Sequence, residues 1–285
     1  MRSLRNRHGR PWTLAVSGRG GSAAVEGAAL DSLLRLKGEL RSRPGLCRPA
    51  AGKIFGFLPE LAELRFGNRS RIIFNVPQDA CAFFSDLYGI VLRDQYGAAS
   101  SALAGKTVVD AGANIGVFSL YAFALGAKRI HAFEPVAETR TMLEANLALS
   151  GASGAVKVYP MALGSKPGKA RILFNEKGEG SAMLERLSAV VNEGVSYSGR
   201  RVVPVAALDG LRLGRVDFVK IDAEGAEREI LLGASRLIKR HKPALSFASY
   251  HRPSDKLDLP AVVRGIRPDY RITLNSHAED DIFCR

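Results

Sequence analysis

Four polar side chains stand at the carboxyl ends of apolar runs that read as β-strands. Asp110 and Glu134 end the first two of these runs, and Asp222 and His251 end two later ones. In an open α/β sheet, ligands bind in the crevice beyond the carboxyl ends of the strands. We therefore expect the four side chains to surround one crevice.

A glycine turn follows the first of these carboxylates. The stretch Val108 to Leu125 reads VVDAGANIGVFSLYAFAL, so Asp110 is followed by Gly112, Asn114 and Gly116 and then by a helical pattern. The Gly-x-x-x-Gly spacing differs from the Gly-x-Gly-x-x-Gly dinucleotide loop, and no Lys-Ser/Thr pair follows as in the phosphate loop of nucleotide triphosphatases. Neither of these phosphate-binding motifs is therefore present.

Glu134 adds a second indication about the ligand. A carboxylate accepts hydrogen bonds from two hydroxyls at once, which suits the diol of a ribose. S-adenosylmethionine carries no phosphate, so its amino-acid end can face Asp110 and Asn114 without electrostatic conflict. These residues favour S-adenosylmethionine over NAD as the cofactor. The alternative is a tight turn and a helix-starting Glu-Pro pair that bind nothing.

From Lys106 onward, apolar strands alternate with amphipathic helices, which predicts an α/β fold with a parallel sheet covered on both faces. Pro160 lacks an N–H, so its strand should be short or lie at the sheet edge. The residues from Tyr270 to Asn275 and from Asp281 to Arg285 predict a closing antiparallel hairpin. The other strand candidates are Thr107–Asp110, Ile130–Glu134, Val156–Met161, Phe218–Asp222 and Leu245–His251.

The chain before this domain divides into two segments. Residues 1–23 are rich in arginine and glycine, and we expect a disordered basic tail there. Residues 24–100 are expected to form a helical and hairpin appendage to the α/β domain of residues 101–285. Within the appendage we predict a helix near 24–40, a hairpin near 66–76 that turns at Gly67-Asn68, and a helix from Cys81 to Asp94.

The composition restricts the partners and the compartment. The 285 residues include 41 Lys and Arg against 28 Asp and Glu, a net charge of +13 that favours anionic partners or a solvated basic surface. The 3 cysteines are widely spaced and form no CxxC pair, so neither a zinc motif nor a disulfide framework is expected. No run approaches the roughly 18 apolar residues of a spanning helix. We expect a soluble cytoplasmic protein without a transmembrane segment.

Several motifs together resemble the FkbM family of S-adenosylmethionine-dependent methyltransferases. They are DAGANIGVFSLYA, HAFEP, EANLALSG and FVKIDAEGAEREILLGA, and the resemblance extends from about residue 106 to the C-terminus. The segment from Lys220 to Glu227 fits the family pattern KIDxEGAE. The resemblance implies a class I, Rossmann-like methyltransferase fold with a seven-stranded, mostly parallel sheet and a last strand that is antiparallel.

The resemblance also implies roles for particular residues. Asp222 and Glu224 would lie beside the departing methyl group, and Glu134 would hold the ribose. The methionine end of the cofactor would contact Asp110, Gly112, Asn114 and Gly116.

An acceptor hydroxyl must be aligned with the methyl group and must lose its proton. Alignment is worth roughly 7–11 kcal/mol, and a positioned base adds roughly a hundred-fold or more. The candidates for this base are His251 and Asp222, and we predict that His251 is the general base; a purely structural histidine is the alternative. Asp222 has three alternative roles: it could orient the acceptor, bind a metal with Glu224 or cap the following helix. We predict no metal.

The sequence thus predicts an O-methyltransferase acting on a small-molecule, saccharide or polyketide-like hydroxyl. Two other functions stay open. An RNA methyltransferase would explain the basic charge, but no RNA-binding module is recognisable, so nucleic acid is not the expected partner. A cofactor-binding scaffold without turnover is the other alternative, and the sequence does not indicate an oligomeric state.

Overall fold

The computed structural model describes residues 4–5, 11–39, 46–66, 70–174, 183–185, 198–276 and 280–285. The helices in these ranges are α1 (Gly27–Glu39), α2 (Cys47–Phe55), α3 (Ala80–Asp86), α4 (Val117–Ala124), α5 (Ala137–Leu149), α6 (Glu227–Gly233), α7 (Ser235–His241) and α8 (Asp255–Ile266). The strands are β1 (Leu4–Arg5), β2 (Pro11–Gly18), β3 (Gly21–Ala24), β4 (Leu61–Phe66), β5 (Ser70–Asn75), β6 (Thr107–Ala111), β7 (Arg129–Phe133), β8 (Val156–Tyr159), β9 (Ala162–Leu163), β10 (Gly168–Phe174), β11 (Met183–Leu184), β12 (Gly199–Ala206), β13 (Phe218–Ile221), β14 (Ala244–Ala248), β15 (Ile272–Ser276) and β16 (Asp280–Cys284).

Seven strands form the central sheet, in the order β15-β16-β14-β13-β6-β7-β8. The five strands from β14 to β8 are parallel, whereas β16 is antiparallel to both β14 and β15. The predicted α/β fold, with a mostly parallel seven-stranded sheet and a C-terminal antiparallel hairpin, is confirmed. The hairpin turn at 277–279 lies outside the described residues.

The strand order of this sheet determines where its functional crevice lies. β6 pairs with β7 on one side and with β13 on the other, so the order of the strands reverses at β6. The carboxyl ends of these three strands therefore meet at the switch point where open α/β sheets bind ligands. The predicted strands that carry Asp110, Glu134 and Asp222 lie side by side.

The end of β8 matches its prediction, whereas β14 ends earlier than predicted. β8 lies at the sheet edge and ends at Tyr159, directly before Pro160, as predicted. β14 ends at Ala248, so His251 lies beyond the strand rather than at its last position. Ser249 donates both its N–H and its hydroxyl to the carbonyl oxygen of Asp280, at 3.0 and 2.8 Å.

A second, four-stranded sheet is inserted between β8 and β13, in the order β11-β10-β12-β9. β10 pairs antiparallel with β12, and β9 pairs parallel with β12. Leu163 of β9 and Ile172 of β10 are buried in one core with Phe133 of the central sheet. This sheet therefore closes one side of the crevice.

The prediction of a disordered tail over residues 1–23 is wrong for residues 11–23. β2 pairs with β3 and with β4 in a five-stranded sheet. Trp12, Leu14 and Val16 are buried and alternate with less buried residues, as in a strand that packs on one face only. Burial of these alternating apolar side chains stabilises a strand even though the segment is rich in arginine. Residues 1–3 and 6–10 lie outside the described residues.

The other N-terminal elements agree with their predictions, but they do not form a separate appendage. α1 matches the helix expected near 24–40, and β4 with β5 forms the expected hairpin, whose turn at 67–69 is outside the described residues. The helix expected from Cys81 to Asp94 is present as α3 followed by a π-helical segment, Leu87–Leu92. One continuous core joins these elements to α4 and to the central sheet.

In the described part of the chain, no helix is both long and apolar enough to cross a membrane. The three cysteines, Cys47, Cys81 and Cys284, are buried free thiols.

Candidate functional site

The carboxyl ends of β6, β7 and β13 open into a cavity of about 760 Å³, part of which is open to solvent. Cavities that bind small molecules usually enclose about 300–1,000 Å³. Four predicted site residues line this cavity, namely Gly112, Asn114, Glu134 and Asp222. The other three, Asp110, Gly116 and His251, lie behind its wall.

The glycines after β6 permit close packing of the turn. Gly112 and Gly116 have φ values of 75° and 95°, which glycine adopts without strain. A side-chain carbon at Gly112 would lie 1.9 Å from the carbonyl oxygen of Asp222, so glycine is required for the end of β6 to approach the end of β13. At Gly116 it would lie 2.5 Å from Leu143 of α5. Gly116 therefore shapes the turn without contacting the cavity.

A buried ion pair supports this turn from below. Lys220 Nζ lies 3.1 Å from Oδ1 of Asp110 and donates to the carbonyl oxygen of Gly112 at 2.7 Å. The other oxygen of Asp110 accepts from the hydroxyl of Ser119 at 2.7 Å. Burial disfavours the charged amine, but the carboxylates of Asp110 and Asp222 outweigh burial and raise the pKa of Lys220.

The geometry changes the role expected for Asp110. Its side chain is fully buried and engaged by Lys220 and Ser119, so it does not face the cavity as a cofactor ligand would. Asp110 holds Lys220, and Lys220 holds the turn that carries Gly112.

Glu134 follows β7 and places its carboxylate on the cavity wall. Its oxygens accept from the backbone N–H groups of Asn114 at 3.0 Å and Val136 at 2.9 Å. Burial is the main cause that raises the pKa of Glu134 to about 7, although these hydrogen bonds act in the opposite direction. Each oxygen keeps a lone pair for a ligand hydroxyl.

Asp222 follows β13 on the opposite side of the cavity. Its Oδ2 accepts from the hydroxyl of Tyr96 at 2.7 Å, and its Oδ1 lies 3.7 Å from Nε2 of His251. Burial disfavours the carboxylate, but the positive charges of Lys220 and His251 outweigh burial and lower the pKa of Asp222.

His251 lies between three carboxylates. Its Nδ1 is 3.0 Å from Oε1 of Glu227, and its Nε2 is 3.5 Å from Oε2 of Glu224. Burial disfavours a charged imidazole, but Glu227, Glu224 and Asp222 outweigh burial and raise the pKa of His251 to about 10. A histidine that carries both ring protons cannot act as a base until one of them is removed.

The loop from Asp222 to Glu227 is held by its own last residue. Oε1 of Glu227 accepts from the N–H groups of Ala223 at 3.0 Å and Gly225 at 3.3 Å. Glu224 has a φ of 50° and lines the cavity, so the loop turns its carboxylate toward the ligand space. The guanidinium of Arg252 donates to the carbonyl oxygen of Gly225 and ties the loop to the segment after β14.

Apolar side chains form the remaining wall of the cavity. They come from β7, from the segment after β8, from the inserted sheet and from α6, and they are Phe133, Met161, Leu163, Ile172 and Ile230. A wall of this kind accommodates a flat ring system such as a purine next to the carboxylate of Glu134.

Sequence reasoning missed two residues of this site and gave no role to a third. Lys220 belongs to the KIDxEGAE pattern, and a lysine inside the apolar strand FVKI is an available indication of a buried ion pair. Glu227 ends the same pattern, which does not by itself indicate a role for it. Tyr96 lies in the segment expected to be an appendage, and its contact with Asp222 spans 126 positions, so no local pattern pointed to it.

The chain resembles known methyltransferases over the part that forms this cavity. A family model described as the methyltransferase FkbM domain matches residues 110–270, which is more than half of the chain. The methyltransferase sdnD of Sordaria araneosa is 33% identical over 153 residues, covering 44% of this chain and 59% of sdnD. The AMB antimetabolite synthetase AmbE of Pseudomonas aeruginosa is 32% identical over 159 residues, covering 44% of this chain and 7% of AmbE.

A solved structure supports the fold. The crystal structure of the methyltransferase FkbM from Methylobacillus flagellatus aligns with a TM-score of 0.50 and 24% identity, covering 64% of this chain and 44% of that one. The chain thus spans 59% of one curated relative and 7% of the other.

Proposed function

This chain belongs to the family of FkbM methyltransferase domains, and from that premise we propose that it methylates a hydroxyl of a small molecule or a saccharide with S-adenosylmethionine as donor. The main support for the proposal is that carboxylates line the cavity on two sides. Glu134 lies on one side, and Asp222 and Glu224 lie on the other. The first side suits a ribose and the second suits a reacting centre.

The residues present fit the donor. Glu134 keeps lone pairs for both hydroxyls of a ribose, and the apolar wall with Leu163 and Ile172 suits an adenine ring. Gly112 and Asn114 face the cavity with uncharged groups, which suits the methionine end. When bound, the donor supplies a methyl carbon on a positively charged sulfur. Asp110 is a positioning residue, because it acts on the turn only through Lys220.

Asp222 and His251 are the residues we assign to the acceptor. The carboxylate of Asp222 accepts a hydrogen bond from the acceptor hydroxyl and aligns the lone pair of that hydroxyl with the methyl carbon. His251 holds the loop in place through Glu227 and keeps Asp222 ionised. The base role predicted for His251 requires that the ring first lose a proton to another site.

A small acceptor agrees better with the surface than a nucleic acid does. Several exposed arginines are paired with carboxylates instead of presenting free charge, among them Arg171 and Arg200 with Glu185 and Arg201 with Glu138. A phosphate backbone would have to compete with these carboxylates for the same guanidinium groups, and phosphate contacts dominate affinity for nucleic acid. RNA methylation and a scaffold without turnover remain as outcomes of the test.

The test begins with calorimetric titration of the protein with S-adenosylmethionine. Binding is expected in the wild type and in Glu144→Ala, an exposed control on α5, and loss of at least tenfold in affinity is expected in Glu134→Ala. Equal affinity in all three proteins would reject the assigned cofactor site.

Transfer of labelled methyl groups to pools of small molecules, glycans and RNA then identifies the acceptor class. Label in the small-molecule or glycan pool, lost in Asp222→Asn, supports the proposal. Label in RNA alone would replace it with the RNA function, and binding without transfer to any pool would favour the scaffold.

A further inference from the structure

The lining of the cavity is acidic although the chain is basic. The chain has a net charge of +13, yet among the described residues that line the cavity three carry a carboxylate and none carries a basic group. The three are Glu134, Asp222 and Glu224. A cleft lined by charges of one sign attracts ligands of the opposite sign. The cavity therefore favours a ligand with a positive charge.

The donor and the product of the proposed reaction differ by one positive charge. S-adenosylmethionine carries a methylated, positively charged sulfur, whereas the sulfur of S-adenosylhomocysteine is neutral. The adenosine and the amino-acid end are the same in both. We infer that Glu224, together with Asp222, makes the cavity select the charged donor over its neutral product; the inference rests on the proposed function.

The loop after β13 holds the carboxylate of Glu224 at the cavity. Glu224 has a φ of 50°, and the N–H groups of its two neighbours, Ala223 and Gly225, donate to Oε1 of Glu227. These bonds fix the backbone on both sides of Glu224. The side chains of Asp222 and Glu224 are only 25% and 21% exposed, so water screens their charges less than at an open surface.

Two buried cations behind the wall reduce this negative charge without cancelling it. Nζ of Lys220 lies 3.1 Å from Asp110, and Nδ1 of His251 lies 3.0 Å from Glu227, so each cation has a buried carboxylate of its own. The two carboxylates that line this side of the cavity are farther from His251, at 3.5 and 3.7 Å. With both cations paired behind the wall, the lining on this side keeps an excess of negative charge.

The same carboxylates do not oppose the transfer itself. The acceptor oxygen forms its bond to the methyl carbon as the carbon–sulfur bond breaks, and the sulfur keeps the electron pair and becomes neutral. The positive charge passes to the acceptor oxygen beside Asp222 and leaves as the hydroxyl proton, which goes to solvent. The carboxylates thus stay close to a positive charge in the transition state. Once the proton has left, they no longer stabilise the bound product.

The experiment measures the Kd of the full chain for S-adenosylmethionine and for S-adenosylhomocysteine by calorimetry. A pH of about 8 keeps Glu134 ionised. The ratio of the Kd for the product to the Kd for the donor is expected to fall at least about fivefold in Glu224→Gln and in Asp222→Asn, because the lost negative charge weakens donor binding alone. Glu144→Gln, an exposed control on α5, should keep the wild-type ratio.

A further variant separates charge selection from binding in general. Glu134→Gln is expected to weaken both ligands by the same factor, because both carry the ribose. Thermal unfolding verifies that each variant is folded.

An unchanged ratio in folded Glu224→Gln overturns the inference. An equal loss of affinity for both ligands in this variant also overturns it, since the carboxylate would then contact the amino-acid end that both share. Either result leaves the proposed function intact, because the donor still binds to the wild type. A wild type that binds neither ligand would reject the proposed function and the inference with it.

Discussion

Glu134 is buried, yet its proposed role requires its carboxylate to accept hydrogen bonds from a ribose. Two backbone N–H groups hold its oxygens, yet burial raises its pKa to about 7. Ribose hydroxyls that donate to a carboxylate favour its ionised form. When the free protein carries a proton on Glu134, binding of the donor must release that proton.

Binding of S-adenosylmethionine should therefore strengthen as pH rises. Because the raised pKa leaves Glu134 protonated below about pH 7, we expect the Kd to fall about tenfold per pH unit from about pH 5.5 to 6.5 and to level off above about pH 7.5. Calorimetry across this range measures the effect, and Glu134→Gln should remove most of it. A wild-type affinity that is constant over the range would contradict this assignment.

Lys220 is the residue whose loss should affect the turn most. Lys220→Met leaves the fully buried Asp110 without its cation, and breaking a buried pair in this way costs about 3–5 kcal/mol. Urea unfolding measures the loss. Adding Asp110→Asn should recover part of it, because no unpaired charge then remains. Additive losses in the double variant would show that the two residues do not act as a pair.

Tyr96 should affect the acceptor side of the cavity alone. Tyr96→Phe removes the donor to Asp222, a hydrogen bond to a charged group worth about 1.5–3 kcal/mol, so turnover should fall about tenfold or more. The affinity for S-adenosylmethionine should stay unchanged, since Tyr96 does not line the cavity. Tyr88→Phe, on the neighbouring π-helical segment, is the control. A change in donor affinity without a change in turnover would contradict this role.

At the level of elements, β2 is a strand in a segment whose local composition predicts disorder. Its arginine-rich surroundings predict disorder, but Trp12, Leu14 and Val16 enter the core that also holds α4. Trp12 packs against the rings of Phe66 and Tyr121, which belong to a distant strand and to the first helix of the α/β domain. The strand is stabilised by these distant partners.

Trp12→Ala should destabilise the whole protein. Truncating a buried tryptophan costs about 3–5 kcal/mol, a large part of the 5–15 kcal/mol typical of a folded domain. Denaturant unfolding followed by circular dichroism measures the change, and Val202→Ala, at an exposed position of β12, is the control. A loss below about 1 kcal/mol would mean that β2 is dispensable.

The sequence predicted those elements whose patterns are local. The strands of the central sheet are short apolar runs, and residues typical of turns or helices follow them directly in the sequence. The α/β fold could therefore be predicted from the periodicity. Of the residues that line the cavity, Glu134 and Asp222 were predicted from their positions at strand ends, and Gly112 and Asn114 from the glycine turn after the first strand. The cofactor role of Asp110 stays a prediction, because sequence does not show whether a carboxylate at a strand end points toward a ligand or, as the Asp110 side chain does, toward a lysine on the next strand.

At the level of the whole molecule, the net charge of +13 is the excess of basic over acidic residues and does not show how that excess is distributed over the surface. Arginines such as Arg215 and Arg267 form ion pairs with nearby aspartates. In the absence of a recognisable RNA-binding module, generic RNA should bind only non-specifically, with a Kd of about 10⁻⁶ M or higher at physiological salt, and binding should weaken further as salt rises. Fluorescence anisotropy with labelled RNA tests this. Nanomolar affinity that persists at high salt would revive the RNA function.

The bond between Tyr96 and Asp222 sets a limit on recombination with related proteins. The family match begins at residue 110, yet Tyr96, which lies before that point, holds the cavity carboxylate of Asp222. In a chimera joined at residue 110, the part after the junction would come from one parent and the part before it from another. Asp222 would then meet the other parent's residue at position 96, and Tyr121 would meet its residue at position 12. A chimera that takes residues 11–285 from one parent keeps both contacts. We therefore expect the acceptor preference to be transferred only together with the N-terminal sheet.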